Sequence, residues 1–292
     1  MKLSGGSTRK HAPKVRVLCA ILVVITAFGI GGYFAYQQVQ MAAQQKSTDE
    51  IIKVADARLA EIEKKKKEIV YITLPGADKI QAPAENFEDP SNVWTLVNKG
   101  RGLPTEYVPN GLIVPTVSVK AGVALDKQVR NTLDAPLTDM FAAAQAAGHS
   151  LMVGSAYRSA PYQDMLFKTY VAQSGYELAD KYSAHPGFSE HQTGLAVDLS
   201  TTSQQCFLSE CFIDTEDGQW LADNAYKYGF TLRYLKGKEV ITGYNFEPWH
   251  YRYVGVSLAT ALHQSVISLD EAWPYIETAL QTLRENRAVP RA

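Results

Sequence analysis

The sequence predicts an α+β protein: a small, mostly antiparallel sheet flanked by helices, preceded by a transmembrane helix and a helical stalk. Three observations carry this. Residues 195–200 alternate, with Leu195, Val197 and Leu199 on one face of a strand and Ala196, Asp198 and Ser200 on the other. Short apolar runs of strand length interleave with segments of helical spacing, and no internal repeat is evident. Val17 to Tyr36 is an unbroken uncharged run rich in Ile, Val, Leu and Ala. The expected divisions are a basic tail over 1–16, a span over 17–36, a stalk and linker over 37–84, and one domain over 85–292.

At ~1.5 Å per residue the apolar run covers the ~30 Å hydrocarbon core of a bilayer. Lys2, Arg9, Lys10, Lys14 and Arg16 precede it, and residues 1–40 hold no acid. Basic flanks keep their side of a span in the cytoplasm, so the rest of the chain is expected outside. A cleavable signal peptide is the alternative, but the run is long and no clean small-x-small cleavage site follows. Of 29 basic residues, 24 remain beyond that tail, against 30 acidic ones. Such an acidic remainder argues against a nucleic-acid binder. With 292 residues, 46% of them hydrophobic, the chain can build one core plus appendages.

Residues 37–70 lack Gly and Pro and are rich in Ala, Gln, Glu and Lys, which predicts a helical stalk. Lys64–Lys67 reads as a solvated face, offset by Glu61, Glu63 and Glu68. Pro75, Gly76, Pro83 and Pro90 mark a linker. Leu112–Pro115 looks extended. Val129–Ala147 has helical spacing, kinked or split at Pro136 and stopped by Gly148. Leu151–Arg158 is a buried strand running into polar residues. A helix over Pro161–Ser174 follows, with proline in its first turn. Gly218–Tyr228 is helical, Phe230–Tyr234 strand-like, and Ser257–His263 and Leu269–Arg284 helical, with Pro274 a kink or a start. Cys206 and Cys211 lie in the exported part, where a disulfide suits an oxidising exterior; metal ligation is the weaker alternative.

The chemistry concentrates at Ser189–Ser200. Asp198 in mid-strand is costly to bury unless something positive receives it. His191, across the Thr193-Gly194 turn, is a partner ligand of the right kind, although a His–Asp hydrogen bond explains that spacing equally well. Phe246-Glu247-Pro248-Trp249-His250-Tyr251 adds a second histidine and a carboxylate. Two histidines and one aspartate leave a fourth position of a tetrahedral zinc open for water, with Glu247 as base. Pro248 disfavours helix at Glu247, so an extended or turned backbone must aim Glu247 and His250.

His191–Asp198, reading H-Q-T-G-L-A-V-D, followed by Glu247-Pro248-Trp249-His250, resembles the zinc site of the VanY-type D-alanyl-D-alanine carboxypeptidases. Ser155-Ala156-Tyr157-Arg158-Ser159, with Gln163 after it, resembles that family's upstream substrate motif. The resemblance implies the zinc fold shared by the D,D-peptidases and the Hedgehog domain. It implies Zn2+ held by His191, Asp198 and His250, with Glu247 as general base and Arg158 beside the reacting carbonyl. Ser155, Tyr157, Gln163 and Ser189 are its expected substrate contacts, and peptidoglycan stem peptides its substrate. Trp249 and Tyr251 read as core or pocket wall. His185 is excluded, because a fourth protein ligand would close the metal; His149 and His263 read as structural.

The expected protein is thus a membrane-anchored, extracytoplasmic zinc carboxypeptidase that trims terminal D-alanine. An L,D-carboxypeptidase acting on tetrapeptide stems is the rival within the class. A VanX-like dipeptidase fits less well, because its substrate is cytoplasmic. A non-catalytic zinc-bearing wall-binding module is the rival from another class, and Glu247 together with Arg158 favours catalysis over it.

Overall fold

A computed structural model describes the backbone of residues 13–67, 69–82, 87–122 and 125–288. The chain forms two units, Met1–Lys66 and Lys67–Ala292. The first contains one long helix, α1 (Pro13–Lys67). Most side chains of the expected membrane span lie outside the described residues. Among those described, no helix is long and apolar enough to cross a membrane.

The second unit begins with β1 (Tyr71–Ile72) and β2 (Ile80–Gln81), an antiparallel hairpin. The sequence reads this stretch as linker because of Pro75 and Gly76; these residues make the hairpin's turn instead. Val70, Ile72 and Leu74 are buried and pack with the C-terminal helices, so the compact unit starts well before residue 85. Next come β3 (Leu112–Ile113) and β4 (Val129–Arg130), paired antiparallel, then α2 (Asp134–Ala146). The helix expected from Val129 therefore starts five residues later, with Pro136 in its first turn, where proline's missing N–H does no harm. Val129 keeps its apolar role on a strand.

Thereafter come β5 (Leu151–Ser155), α3 (Ala160–Ser174), α4 (Tyr176–Tyr182) and β6 (Ala196–Thr201). Ser159 caps α3 by accepting from the Tyr162 amide, and Pro161 sits in its first turn. The remaining elements are α5 (Glu216–Asn224), β7 (Phe230–Leu232), α6 (Glu239–Thr242), β8 (His250–Tyr253), α7 (Val256–Ser265) and α8 (Leu269–Ala288). A 3-10 turn, Ala225–Tyr228, finishes the helix expected through residue 228. The last helix begins five residues before Pro274 and runs through it.

The main sheet has four strands in the order β5-β6-β8-β7, every neighbouring pair antiparallel. One face is apolar. Val153, Val197, Leu199 and Tyr251 pack there with Leu133, Leu137 and Met140 beneath α2. Each such side chain is worth about 1.5–3 kcal/mol when fully buried. The alternation of β6 aims Asp198 to the opposite face. A second core gathers the hairpin with α7 and α8 around Leu258, Leu262, Trp273 and Ile276.

Candidate metal centre and active site

Three strands set the site in a row. Ser155 of β5 pairs with Asp198 of β6, and Asp198 pairs with His250 of β8. The β5–β6 register shifts between Val153 and Ser155, so a bulge at Gly154 brings Ser155 opposite the aspartate. A Cβ on Gly154 would lie 2.6 Å from the Phe207 ring, so any side chain here would have to displace that ring. His191 arrives from a 3-10 turn, Glu190–Thr193, that ends at Gly194 with φ +67. That left-handed conformation and the close Arg130, Leu112 and Pro109 side chains reserve the position for glycine.

Asp198 Oδ1 lies 3.4 Å from His191 Nε2 and 3.4 Å from His250 Nδ1. One ligand atom from each residue fits within 4.8 Å of the others. His191 Nδ1 donates to the Ala156 carbonyl at 2.5 Å, which frees Nε2 as a ligand. His250 turns Nε2 toward Glu190 Oε2 at 3.4 Å, leaving Nδ1 for the site. Asp198 Oδ2 accepts from Arg158 Nη2 at 2.6 Å, whereas Oδ1 is buried with no hydrogen-bond partner. A buried carboxylate oxygen without a donor is expensive, and a cation between it and the two histidines satisfies it. With two imidazoles and one carboxylate, the donor set suits zinc.

Burial opposes ionisation of Asp198, but His191 and Arg158 outweigh it and hold the carboxyl well below its usual range. Burial and the Arg158 charge push His191 down, toward the neutral form that ligates. His250 goes the other way: burial opposes its charge, but the Asp198 and Glu190 carboxylates, each 3.4 Å from a ring nitrogen, carry it up to about 9.

Glu247 and His250 sit at the ends of a tight turn, with the His250 amide donating to the Glu247 carbonyl. This is the turned backbone that Pro248 requires, and it sets Glu247 Oε2 3.5 Å from His250 Nδ1. Glu247 is 7% exposed, and burial pushes its carboxyl up to about 7. A carboxylate poised there is matched to proton transfer near neutral pH.

A cavity of about 300 Å³ opens over this cluster, and its lining includes Gln163, Ser183, Ser189, Leu208 and Trp249. Gln163 donates to Ser183 Oγ and the Ala184 carbonyl, which leaves its buried Oε1 unpartnered. Two expected substrate contacts stand elsewhere. Ser155 is engaged behind Arg158, donating to Asp126 Oδ1 at 2.9 Å and accepting from Arg158 Nη2 at 2.8 Å. It positions the arginine and does not line the cavity. Tyr157 is buried and also lies outside the lining, whereas its neighbour Arg158 is part of it. His185 bonds the Tyr176 hydroxyl, outside the cavity lining, and His149 pairs with Asp217.

Sequence reasoning missed Glu190, Tyr234 and Tyr244. Glu190 is fully buried; burial opposes its ionisation, yet Arg233 and Arg252 keep it charged, with Oε1 accepting from both at 2.8 and 2.9 Å. Its signal was present: arginines breaking the apolar runs 230–234 and 250–254 each need a buried anion. Tyr234 and Tyr244 gave none, since an aromatic wall residue looks like any core aromatic. Cys206 and Cys211 are joined, closing a loop that carries Leu208 to the cavity rim.

Residues 126–256 match the family described as VanY: D-alanyl-D-alanine carboxypeptidase. The chain is 36% identical over 267 residues to the putative carboxypeptidase YodJ of Bacillus subtilis strain 168, covering 90% of this chain and 97% of the relative. Among solved structures, the LdcB LD-carboxypeptidase aligns with a TM-score of 0.61 at 41% identity, over 64% of this chain and 88% of its own. A glutamate-to-alanine variant of the VanY D,D-pentapeptidase from the VanB-type resistance cassette, in complex with Zn(II), aligns at 0.51 and 31% identity, over 63% and 99%.

Proposed function

The chain belongs to the VanY family of D-alanyl-D-alanine carboxypeptidases, and on that footing we propose how its residues release the terminal D-alanine of peptidoglycan stem peptides. It is a zinc metallocarboxypeptidase, and His191, Asp198 and His250 are its zinc ligands. The observation that carries this is Asp198 Oδ1, a partnerless buried oxygen 3.4 Å from one ring nitrogen of each histidine. When bound, zinc supplies Lewis acidity and lowers the pKa of water in the site.

Glu247 takes the proton of the attacking water at its carboxylate and passes it to the departing amine of D-alanine. Burial raises the basicity of that carboxylate, which favours the first transfer. Arg158, pinned by Asp198 and Ser155, presents a fixed cation to the negative charge that develops on the scissile carbonyl oxygen. Ser189 and Gln163 face the cavity with polar atoms free for the substrate's carboxylate and amide groups. Ser155 and Tyr157 act through Arg158 and the wall behind it.

We also place the catalytic unit outside the cell, on a single-pass anchor at residues 17–36. The basic residues before that run and the Cys206–Cys211 disulfide support this placement. Protease accessibility on intact cells tests it: a protected catalytic domain sinks the placement.

A second reading has its own support, the 41% identity to an LD-carboxypeptidase. Mass spectrometry of the zinc-loaded protein with pentapeptide and tetrapeptide muropeptides in parallel separates the two. Loss of D-alanine from the pentapeptide supports D,D cleavage, loss from the tetrapeptide alone moves the reaction to the L,D bond, and loss from neither overturns both.

A further inference from the structure

A second cavity, of about 230 Å³, lies beside the catalytic one and shares Arg158, Tyr170 and Leu208 with it. Three of its lining residues are cationic, Lys120, Lys127 and Arg158, and one is acidic, Asp126. Lys127 is 6% exposed; its ammonium donates to the Gly154 carbonyl and lies 3.5 Å from Asp126. Arg158 is held by Asp198 at 2.6 Å and lies 3.9 Å from Asp126. Lys120, half-buried, has no carboxylate partner among the described residues. Its ammonium instead stands 3.7 Å from the centroid of the Phe207 ring.

That arrangement is built rather than incidental. Phe207 and Leu208 sit in the loop that Cys206–Cys211 closes, and Gln204, Cys206 and Leu208 all take left-handed φ values of 57, 55 and 49. Non-glycine residues persist in that region where the surrounding structure fixes them, often beside functional sites. The loop fixes Phe207 against Gly154, and Phe207 holds the Lys120 ammonium at the cavity. A partly enclosed cation with an aromatic ring on one side and no anion is completed by an anionic ligand.

Resting on the carboxypeptidase reading, we propose that this second cavity is a subsite for a carboxylate on the N-terminal side of the scissile bond. Lys120 is its recognising cation and the disulfide loop its wall. A carboxypeptidase must let the upstream part of its peptide leave the catalytic cavity. Tyr170 and Leu208, the latter 37% exposed, line both cavities, so the cationic one lies next to the catalytic one. The subsite adds to specificity, because the paired groups at the zinc centre read only the end of the chain.

The test is a cycle between enzyme and substrate. N-acetylated peptides ending in Lys-D-Ala-D-Ala, with Glu or Gln at the position before the lysine or one further upstream, are compared by kcat/KM with zinc-loaded wild type and Lys120→Gln. The expected result is a preference for the Glu peptide of about tenfold in wild type, the scale of a hydrogen bond to a charged group. In Lys120→Gln the ratio falls to about one. Equal rates on Glu and Gln peptides in wild type, or a preference unchanged by Lys120→Gln, overturn the subsite while leaving the reaction standing. Release of D-alanine from no peptide overturns the reaction and the subsite together.

Discussion

Two buried polar clusters meet at Glu190 and His191, and they are built on opposite terms. In the first, Glu190 and Asp270 face Arg233 and Arg252. Asp270 Oδ2 accepts from Arg233 at 2.5 Å, and the remaining guanidinium donors reach the carbonyls of Val93, Thr95, Val97 and Tyr253. Two cations meet two anions, so the charges balance, and only Glu190 Oε2, which faces His250, lacks a hydrogen-bond donor. The second cluster, one residue along the same turn, leaves Asp198 Oδ1 without a donor and holds Glu247 where burial opposes its charge. Among the described residues, half of the ten buried side-chain atoms without partners belong to residues lining this one cavity: Gln163, Glu190, Asp198, Tyr244 and His250. Balanced buried charge holds the fold together, whereas unbalanced buried charge is where a cation and a substrate enter.

The comparison breaks most visibly at Asp198. Asp198→Ala removes both a ligand and the anchor of Arg158. It is expected to lose zinc by more than the ~100-fold that outer partners alone control, and to abolish D-alanine release. Metal analysis after dialysis checks this, and full zinc occupancy would contradict it. In the balanced cluster, Asp270→Asn leaves Arg233 short of its anion. The expected cost is stability, about 3–5 kcal/mol, with kcat/KM unchanged in the fraction that remains folded. Denaturant unfolding alongside kinetics decides whether the two clusters separate in this way.

Glu247→Gln sharpens the contrast with the opposite sign. The folded carboxyl titrates near 7 rather than 4.5, so between those values the folded state binds more protons than the unfolded one. Stability of chelator-treated protein therefore falls as pH rises through that window, by up to about 3 kcal/mol at ~1.4 kcal/mol per unit. The Gln variant lacks this slope and melts at higher temperature above pH 7. The gentlest effect concerns zinc affinity. Metal must displace the proton that His250 holds up to about 9, so apparent affinity is expected to fall about tenfold per pH unit below that value. Zinc titrations at pH 6, 7 and 8 check this, and a flat profile would contradict a proton held on His250 over that range.

Much of this was legible in the sequence, for identifiable reasons. The alternation of Leu195–Ser200 placed Asp198 away from the core, because a strand's period of two leaves no other face for it. Pro248 excluded a helical Glu247–His250 pair in favour of the turn that is found. Helical spacing misled at Val129, where an extended pair and a 3-10 turn mimic it over one turn's length. The 70–82 hairpin was hidden because Pro75 and Gly76 suit a linker as well as a turn, and its burial is decided by distant helices. Likewise, Ser155 carries a motif position, but only tertiary structure shows its hydroxyl committed to Asp126 and Arg158.

The central claim is that a zinc site with Glu247 as its base releases D-alanine. The most direct measurement is kcat/KM for D-alanine release from a D-Ala-D-Ala-terminated stem peptide by Glu247→Gln carrying one zinc per chain. The account predicts a loss of about 10²–10⁴-fold with the metal retained. Release at the wild-type rate from that zinc-loaded variant would contradict it.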